Sequence, residues 1–206
     1  MARSAYDQSV FVNAPFDPDY APVFDAVIFA IHDCGFVARC ALEEDDSARV
    51  RVEKIYAIIS ECRLGVHDVS RTELDPALGL PRFNMPLELG IFLGARQFGR
   101  GRQREKRCLV LDRERFRYQA YLSDISGQDI KAHGDEPARA IRAVRNWLSS
   151  FADAMLPGAT KMAERYALFL SELPDLLDEV GIERDELIYN EYTTLVVGWQ
   201  KVNPWG

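Results

Sequence analysis

Short apolar runs alternate with helical patterns over the first 150 residues of this chain. The run Ser9–Ala14 is rich in β-branched and aromatic residues, which is typical of a strand buried on both faces. The segment from Asp19 to Cys34 then places apolar residues at helical spacing, and Gly35 provides a stop signal. Such an alternation predicts a parallel, doubly wound sheet.

The same alternation continues further along the chain. We expect four more strands, at Phe36–Leu42, Leu64–Val69, Cys108–Leu111 and Asp129–Ala132. We expect the intervening helices to begin near Ser47, to run from Asn84 or Met85 to about Phe98, and to cover Glu136–Phe151. The sequence therefore predicts a flavodoxin-like α/β domain of about five parallel strands over residues 1–155.

The segment from residue 156 onward differs because it carries helical patterns without a strand. Two helices are expected, over Thr160–Val180 and Glu183–Val202, with an interruption at Leu173-Pro174 and a break at Gly181. Their leucines form more apolar surface than two isolated helices should expose. We expect residues 156–206 to be a helical extension that packs on the α/β core or forms an oligomer interface, and we expect a homo-oligomer.

The charge balance gives no general attraction to nucleic acid or to an anionic membrane. The 206 residues include 25 basic and 32 acidic side chains, for a net charge of -7, and 48% of them are hydrophobic. The basic run from Arg100 to Arg107 is typical of a solvated loop. We therefore expect no nucleic-acid partner.

The cysteines and the N-terminus indicate a reducing compartment. Cys34, Cys40, Cys62 and Cys108 lie far apart and form no C-x-x-C pair, so we expect reduced thiols, no metal site and no cofactor. The first residues lack the apolar core of a signal peptide, and no stretch approaches the roughly 18 apolar residues of a membrane span. The sequence predicts a cytoplasmic protein without a membrane partner.

Polar residues follow the predicted strands at the edge where doubly wound proteins bind ligands. In an open parallel sheet that site lies beyond the carboxyl ends of the strands. The rule nominates residues after each of the first four strands and at the start of one helix: Asn13, Glu43, Glu44, Asp68, Asp112, Asn84 and Glu88.

Glu88 is the sharpest of these candidates. It shares a helical face with Phe92 and Ala95, where desolvation raises a carboxyl pKa while the nearby helix N-terminus lowers it. Opposed effects of this kind are common at catalytic carboxylates. Gly90 and Gly94 leave room beside it for a ligand. The alternative is a first-turn glutamate that serves the helix dipole alone.

Asp68 and Asn13 each have a structural alternative to a functional role. Asp68 could orient a ligand hydroxyl or a catalytic group, or it could pair with Arg71. Asn13 could offer its amide and the N–H groups of the following turn to a phosphate or ribose, or it could simply form the turn. Both interpretations place these residues at the same edge of the sheet.

The histidines receive no role from the sequence. Strand alternation points His67 away from Asp68, which argues against a catalytic pair. Neither His32 nor His133 has an evident partner.

Three short motifs, taken in order, resemble a known superfamily. They are Phe11–Phe16 at the end of the first strand, His67–Ser70 at the end of the third, and Asn84–Gly90 at the following helix. Over about Ser9 to Leu148 the chain resembles the nucleoside 2-deoxyribosyltransferase-like proteins and the related Toll/interleukin-1-receptor-like NAD-cleaving domains. The resemblance implies an N-glycosidase.

The resemblance also implies roles for individual residues. Glu88 would stand at C1′ of a ribose, as nucleophile or as stabiliser of an oxocarbenium ion, and Asp68 would assist at the base or ribose. The pyrophosphate of NAD needs N–H donors or a cation, which the turn after the first strand and Arg39 could supply. The expected substrate-binding residues are Asn13, Pro15, Phe16, Arg39, Ser70 and Asn84.

The ligand implied is a nucleotide or nucleoside, with NAD as the leading substrate and nucleoside deoxyribosyl transfer as a variant. Many of the transferases have small or hydroxyl residues where Asn84 and Met85 stand in this chain. Two alternatives therefore stay open: a catalytically inactive nucleotide-binding sensor, and an oligomerising scaffold whose helical tail assembles partners.

Overall fold

A five-stranded, all-parallel sheet forms the centre of the computed structural model, which describes residues 4–74 and 79–205. The strand order is β2-β1-β3-β4-β5. The strands are β1 (Ser9–Asn13), β2 (Val37–Arg39), β3 (Leu64–Asp68), β4 (Arg107–Asp112) and β5 (Lys131–Ala132). This order confirms the predicted flavodoxin-like fold.

Helices cover both faces of the sheet. They are α1 (Ala5–Gln8), α2 (Ala21–Asp33), α3 (Arg51–Glu61), α4 (Asn84–Phe98), α5 (Pro137–Leu148), α6 (Ala159–Val180) and α7 (Tyr189–Val202). Val10 and Val12 of β1 belong to the hydrophobic cluster that contains α2 and α5, whereas Phe11 belongs to the cluster of α3 and α4. Strand alternation therefore assigns α2 and α5 to one face and α3 and α4 to the other.

The sheet ends in a very short edge strand. Between β4 and β5 the chain forms two 3-10 turns, Arg117–Ala120 and Ser123–Ile125. β5 pairs only with Leu111 and Asp112 of β4. The first four residues of β4 consequently have no strand paired with them on that side in the described part of the chain.

Several predicted boundaries are wrong by a few residues. β2 and β5 are shorter than expected, and α3 begins at Arg51 rather than near Ser47. Arg49, within the expected helix, pairs instead with Glu44 at 2.7 Å and belongs to the turn before α3. Part of the loop predicted from residue 70 to 83, at positions 75–78, lies outside the described residues.

The two C-terminal helices also differ from their predicted limits. α6 continues through Pro174, where we expected an interruption, because Leu173 and Leu177 are both buried and hold the helix against the core on either side of the proline. α7 begins at Tyr189 rather than at Glu183. The carboxylate of Glu191 accepts the N–H of Ile188 at 3.1 Å, which caps the start of α7.

The helical extension packs on the α/β core, which was one of its two predicted placements. Buried residues of α6 and α7 belong to the same hydrophobic cluster as α2 and α5. The ring of Phe29 on α2 lies 5.5 Å from that of Phe169 and 6.0 Å from that of Trp199, measured between centroids. These rings join the extension to the core in one apolar layer.

The cysteines form no disulfide, as the sequence predicts. All four thiols are free; Cys34, Cys40 and Cys62 are buried and Cys108 is half-buried. Among the helices of the described residues, none combines the length and the apolar character that crossing a bilayer requires.

We predict that Phe169→Ala lowers the free energy of unfolding by about 3–5 kcal/mol, because it leaves a cavity among the buried rings. Leu168→Ala is the matched control: Leu168 is 49% exposed on the same helix and should cost less than about 1 kcal/mol. Urea unfolding followed by circular dichroism measures both. Equal losses in the two variants would contradict the packing described.

Candidate active site

Buried polar side chains occupy the carboxyl ends of three strands. Asn13 ends β1, Asp68 ends β3 and Asp112 ends β4, and all are at most 3% exposed. Parallel strands end at the same edge, so these groups belong to the edge where doubly wound sheets bind ligands.

The Asn13 amide joins this edge to helix α4. Its Nδ2 donates to the carbonyl oxygen of Met85 at 2.8 Å and lies 3.1 Å from Nδ1 of His67. Met85 is in the first turn of α4, the turn that leads to Glu88. Both amide hydrogens are thus used inside the protein, and Asn13 positions the helix; a direct ligand contact by this residue stays a prediction.

His67 is a neutral packing residue on the α4 side of β3. Its ring centroid lies 4.8 Å from that of Phe92, and burial together with the charge of Lys106 lowers its pKa to about 3. A Cβ at Gly65 would lie 2.8 Å from Nε2 of this ring, so the strand needs glycine there. The prediction that His67 points away from Asp68 is confirmed.

Asp68 lies in a buried cluster with Ser70 and His133. The N–H of Ser70 donates to Asp68 Oδ1 at 2.8 Å, while Nε2 of His133 lies 2.9 Å from Asp68 Oδ2 and 2.9 Å from Ser70 Oγ. Nδ1 of His133 accepts the N–H of Asp135 at 3.0 Å, so Nε2 carries the ring proton. In a catalytic triad the serine and the aspartate use different ring nitrogens, so this cluster is not one.

The cluster holds an ionised carboxylate beside a protonated phenol. Burial raises the pKa of Asp68, but interactions with His133, Ser70 and Tyr20 lower it below its usual value. Burial and the Asp68 charge raise the pKa of Tyr20 well above its usual value.

Glu88 has the opposite environment. It is half-buried in the first turns of α4, and desolvation raises its pKa to about 7, an effect that the Arg51 charge partly offsets. The Arg51 guanidinium also lies 5.9 Å from the centroid of the Phe16 ring, which is 40% exposed. A carboxylate, a cation and an aromatic ring, each from a different element, therefore meet at this edge.

Some of the other predicted binding residues are accessible to a ligand, whereas others are buried or ion-paired within the protein. Phe16 and Asn84 are exposed, whereas Pro15 and Ser70 are buried. Arg39 Nη2 lies 2.5 Å from Glu43 Oε1 and 3.2 Å from Glu61 Oε2. The Arg39 guanidinium is thus already paired with carboxylates, and Arg51 is the cation beside Glu88.

Arg117 organises the loop that follows β3. Its Nη2 donates to Asp112 Oδ1 at 2.7 Å and to the carbonyl oxygen of Ser70 at 2.5 Å. The Tyr121 hydroxyl lies 3.0 Å from Asp112 Oδ2 and 2.9 Å from the carbonyl oxygen of Val69. Asp112, which the strand-end rule nominates, therefore ties the end of β4 to the loop that carries Ser70.

Three residues of the site have no role assigned from the sequence. His133 follows directly after β5, so the strand-end rule could have placed it at the same edge of the sheet as Asp68. Tyr20 belongs to the segment Asp19–Cys34, whose apolar spacing indicates a helix and gives no sign of a role at the site. Arg51 had no signal, because its proximity to Glu88 depends on how α3 packs against α4.

Comparison of the chain with protein-family models, curated proteins and solved structures gave no match in any of the three. Within residues 4–74 and 79–205, no group of three or more His, Cys, Asp or Glu side chains is placed to hold a metal ion. Arguments about function therefore depend on the fold and on the geometry of this edge.

The raised pKa of Glu88 predicts a pH-dependent stability cost. Its usual value is 4.5, so between about pH 4.5 and 7 the folded chain retains a proton that the unfolded chain has lost, and stability falls as the pH rises. Glu88→Gln should match the wild type at pH 4 and exceed its free energy of unfolding by about 2 kcal/mol at pH 8, which is less than the full shift would give because the half-buried carboxylate is partly screened by solvent.

Urea unfolding at the two pH values measures this effect. Glu164→Gln, at an exposed position of α6, is the control and should change neither value by more than about 0.5 kcal/mol. A Glu88→Gln variant that is less stable than the wild type at pH 8 would show that the carboxylate is stabilised in the fold.

Proposed function

We propose that this protein cleaves the N-glycosidic bond of a nucleotide, with NAD as the leading substrate and Glu88 acting at C1′ of the ribose. The observation that carries the proposal is the half-buried Glu88 carboxyl, with a pKa of about 7, at the ligand-binding edge of the sheet. The charge of Arg51 acts on this carboxyl, and the Arg51 guanidinium lies 5.9 Å from the centroid of the Phe16 ring. The resemblance of the three sequence motifs supports the same reaction.

The chemistry requires a fixed negative charge beside the sugar. As the bond from C1′ to the base nitrogen breaks, its electron pair leaves with the base and positive charge develops on the ribose. An ionised Glu88 stabilises that charge or bonds to C1′ directly, and water then adds a hydroxyl to C1′ and releases a proton. With nicotinamide as the leaving group, the ring nitrogen is cationic before cleavage and neutral afterwards, so no acid is needed.

Arg51, whose charge acts on Glu88, and the Phe16 ring beside Arg51 fit the remaining parts of a nucleotide. The exposed Phe16 ring offers a stacking surface for a base, and Arg51 offers a cation for a phosphate. Asp68 is 1% exposed, so in this proposal it acts by holding Ser70 and His133 in place rather than by contacting the sugar. Asn13 likewise acts through α4.

A second candidate function is a nucleotide-binding sensor without turnover. Three groups that a catalytic site would direct at substrate instead bind other residues of the protein, and this favours the sensor. They are the Asn13 amide, the Asp68 carboxylate and the Arg39 guanidinium. Such a protein would bind a nucleotide through Phe16 and Arg51 and leave it intact.

Incubation of the purified protein with NAD, nucleosides and deoxynucleosides, followed by chromatography of the products, tests the proposal. We expect release of nicotinamide from NAD, and a loss of at least about a hundredfold in kcat for Glu88→Gln, because the transition state loses its counter-charge. Glu164→Gln should retain wild-type turnover. Full turnover by Glu88→Gln would refute the role of Glu88, and binding of NAD without cleavage would favour the sensor.

The pH profile separates a reacting carboxylate from a structural one. If Glu88 acts in its ionised form, kcat/KM should rise with pH and level off above an apparent pKa of about 7. Arg51→Ala should move that pKa upward, because Arg51 lowers it in the wild type, and should raise KM for NAD about tenfold or more.

Arg49→Ala is the matched control for Arg51→Ala, since Arg49 is an exposed arginine two residues away that pairs with Glu44 at 2.7 Å. It should leave the profile and KM unchanged. Arg39→Ala tests the expectation drawn from the sequence. A larger rise in KM for Arg39→Ala than for Arg51→Ala would place the pyrophosphate at the end of β2.

A further inference from the structure

A groove of about 1120 Å³ lies along the open side of β4, between α4 and α5. Its floor is the edge of the strand from Arg107 to Val110, and Trp147 and Phe151 are among its lining residues. It shares no residue with the candidate active site. We propose that this groove binds an extended acidic segment of another protein, which adds to the sheet as a strand beside β4.

The first support is an unpaired strand edge. The N–H of Arg107 donates to the carbonyl oxygen of Arg63, on the β3 side. Backbone groups alternate between the two edges from residue to residue, so those of Cys108 and Val110 point to the other edge. β5 pairs only with the segment Leu111–Asp112, which leaves the backbone of Cys108 facing the groove. An added strand would supply its missing partners.

The length of the open edge sets the length of the segment. Four residues of β4, from Arg107 to Val110, span about 13 Å at the rise of a parallel strand. A segment of about four to six residues in extended conformation covers that distance. Helices α4 and α5 flank the edge on opposite faces of the sheet, so alternate side chains of the segment would face each helix.

The second support is charge. The groove is lined by five basic residues and two acidic ones. Each acidic residue is already paired within the groove: Asp129 lies 2.6 Å from Lys131, and Glu136 lies 2.9 Å from Arg139.

The other three basic residues of the groove are Arg96, Arg107 and Arg142. Among the ion pairs of the described residues none involves these three, and the Arg107 guanidinium donates to the backbone carbonyls of residues 105 and 106. In a chain whose net charge is -7, this is a local excess of positive charge. It complements an acidic segment rather than a basic one.

The α5 side and the α4 side of the groove favour different side chains in the bound segment. Arg107 shares its side of β4 with Leu109, in the cluster that includes α5, so it lies on the face of Arg142. Cys108 and Val110 face α4 with Leu93. The segment that fits best alternates acidic residues toward α5 with apolar residues toward α4.

Fluorescence anisotropy with the full-length protein tests the proposal. The probe is a fluorescein-labelled peptide of eight residues in which glutamate and valine alternate. We expect saturable binding that weakens with salt, and at least tenfold weaker binding by Arg142→Glu. Lys161→Glu makes the same change of charge at an exposed position of α6 and should bind as the wild type does.

Three further measurements decide the mode of binding. A peptide with the same side chains but methylated backbone nitrogens should bind at least tenfold more weakly, because it cannot pair with β4. Alternating lysine and valine should not bind. Amide hydrogen exchange at Cys108 should slow at least tenfold when the glutamate peptide is present, which a purely electrostatic contact would not cause.

Each opposite result overturns the proposal. Absence of binding would show that the arginines only protect the edge from association. Equal binding by Arg142→Glu would show that the positive charge of the groove does not select the segment. Binding of a single-stranded oligothymidine in place of the peptide would make the groove a nucleic-acid site. A dimer in sedimentation velocity that dissociates in Arg142→Glu, without peptide binding, would make the occupant a second copy of this chain.

Discussion

The arrangement of the candidate site depends on the hydrogen bonds of one buried amide. Asn13 donates to the carbonyl oxygen of Met85 and contacts Nδ1 of His67, so a single side chain joins β1, β3 and the first turn of α4. Losing one of these partners would leave a buried polar group unsatisfied, at a cost of about 1–3 kcal/mol. The amide therefore fixes where α4 begins against the sheet, and with it the position of Glu88.

Two carboxyl groups of this chain have environments that push their pKa values apart. Asp68 is held ionised by hydrogen-bonding neighbours in spite of its burial, whereas desolvation raises the pKa of Glu88 to about 7. Such a separation marks acid–base assignments in many active sites. In our proposal Asp68 maintains the structure of the edge and Glu88 reacts, and the stability that Glu88 costs at neutral pH is typical of a functional group.

Sequence patterns predicted the fold because the strands are short apolar runs and the helices show regular spacing. Where a predicted boundary was wrong, a local contact sets the true one. The cap that Glu191 supplies at the start of α7 is an example. At the site, the strand-end rule pointed to Asn13 and Asp68. The apolar face of α4 indicated the desolvation of Glu88 but not the net direction of its pKa shift, since the helix N-terminus was expected to act against it. The influence of the Arg51 charge on Glu88 depends on how two helices pack, and no local pattern encodes it.

The most direct test of a reactive Glu88 at a nucleotide site is a carbon-13 NMR titration of the glutamate side-chain carboxyls, with and without NAD. Our account predicts one resonance with a pKa of about 7 that is absent in Glu88→Gln and changes its chemical shift and its pKa when NAD is added. A Glu88 carboxyl that titrates near 4.5, or a resonance that does not respond to NAD, would contradict it.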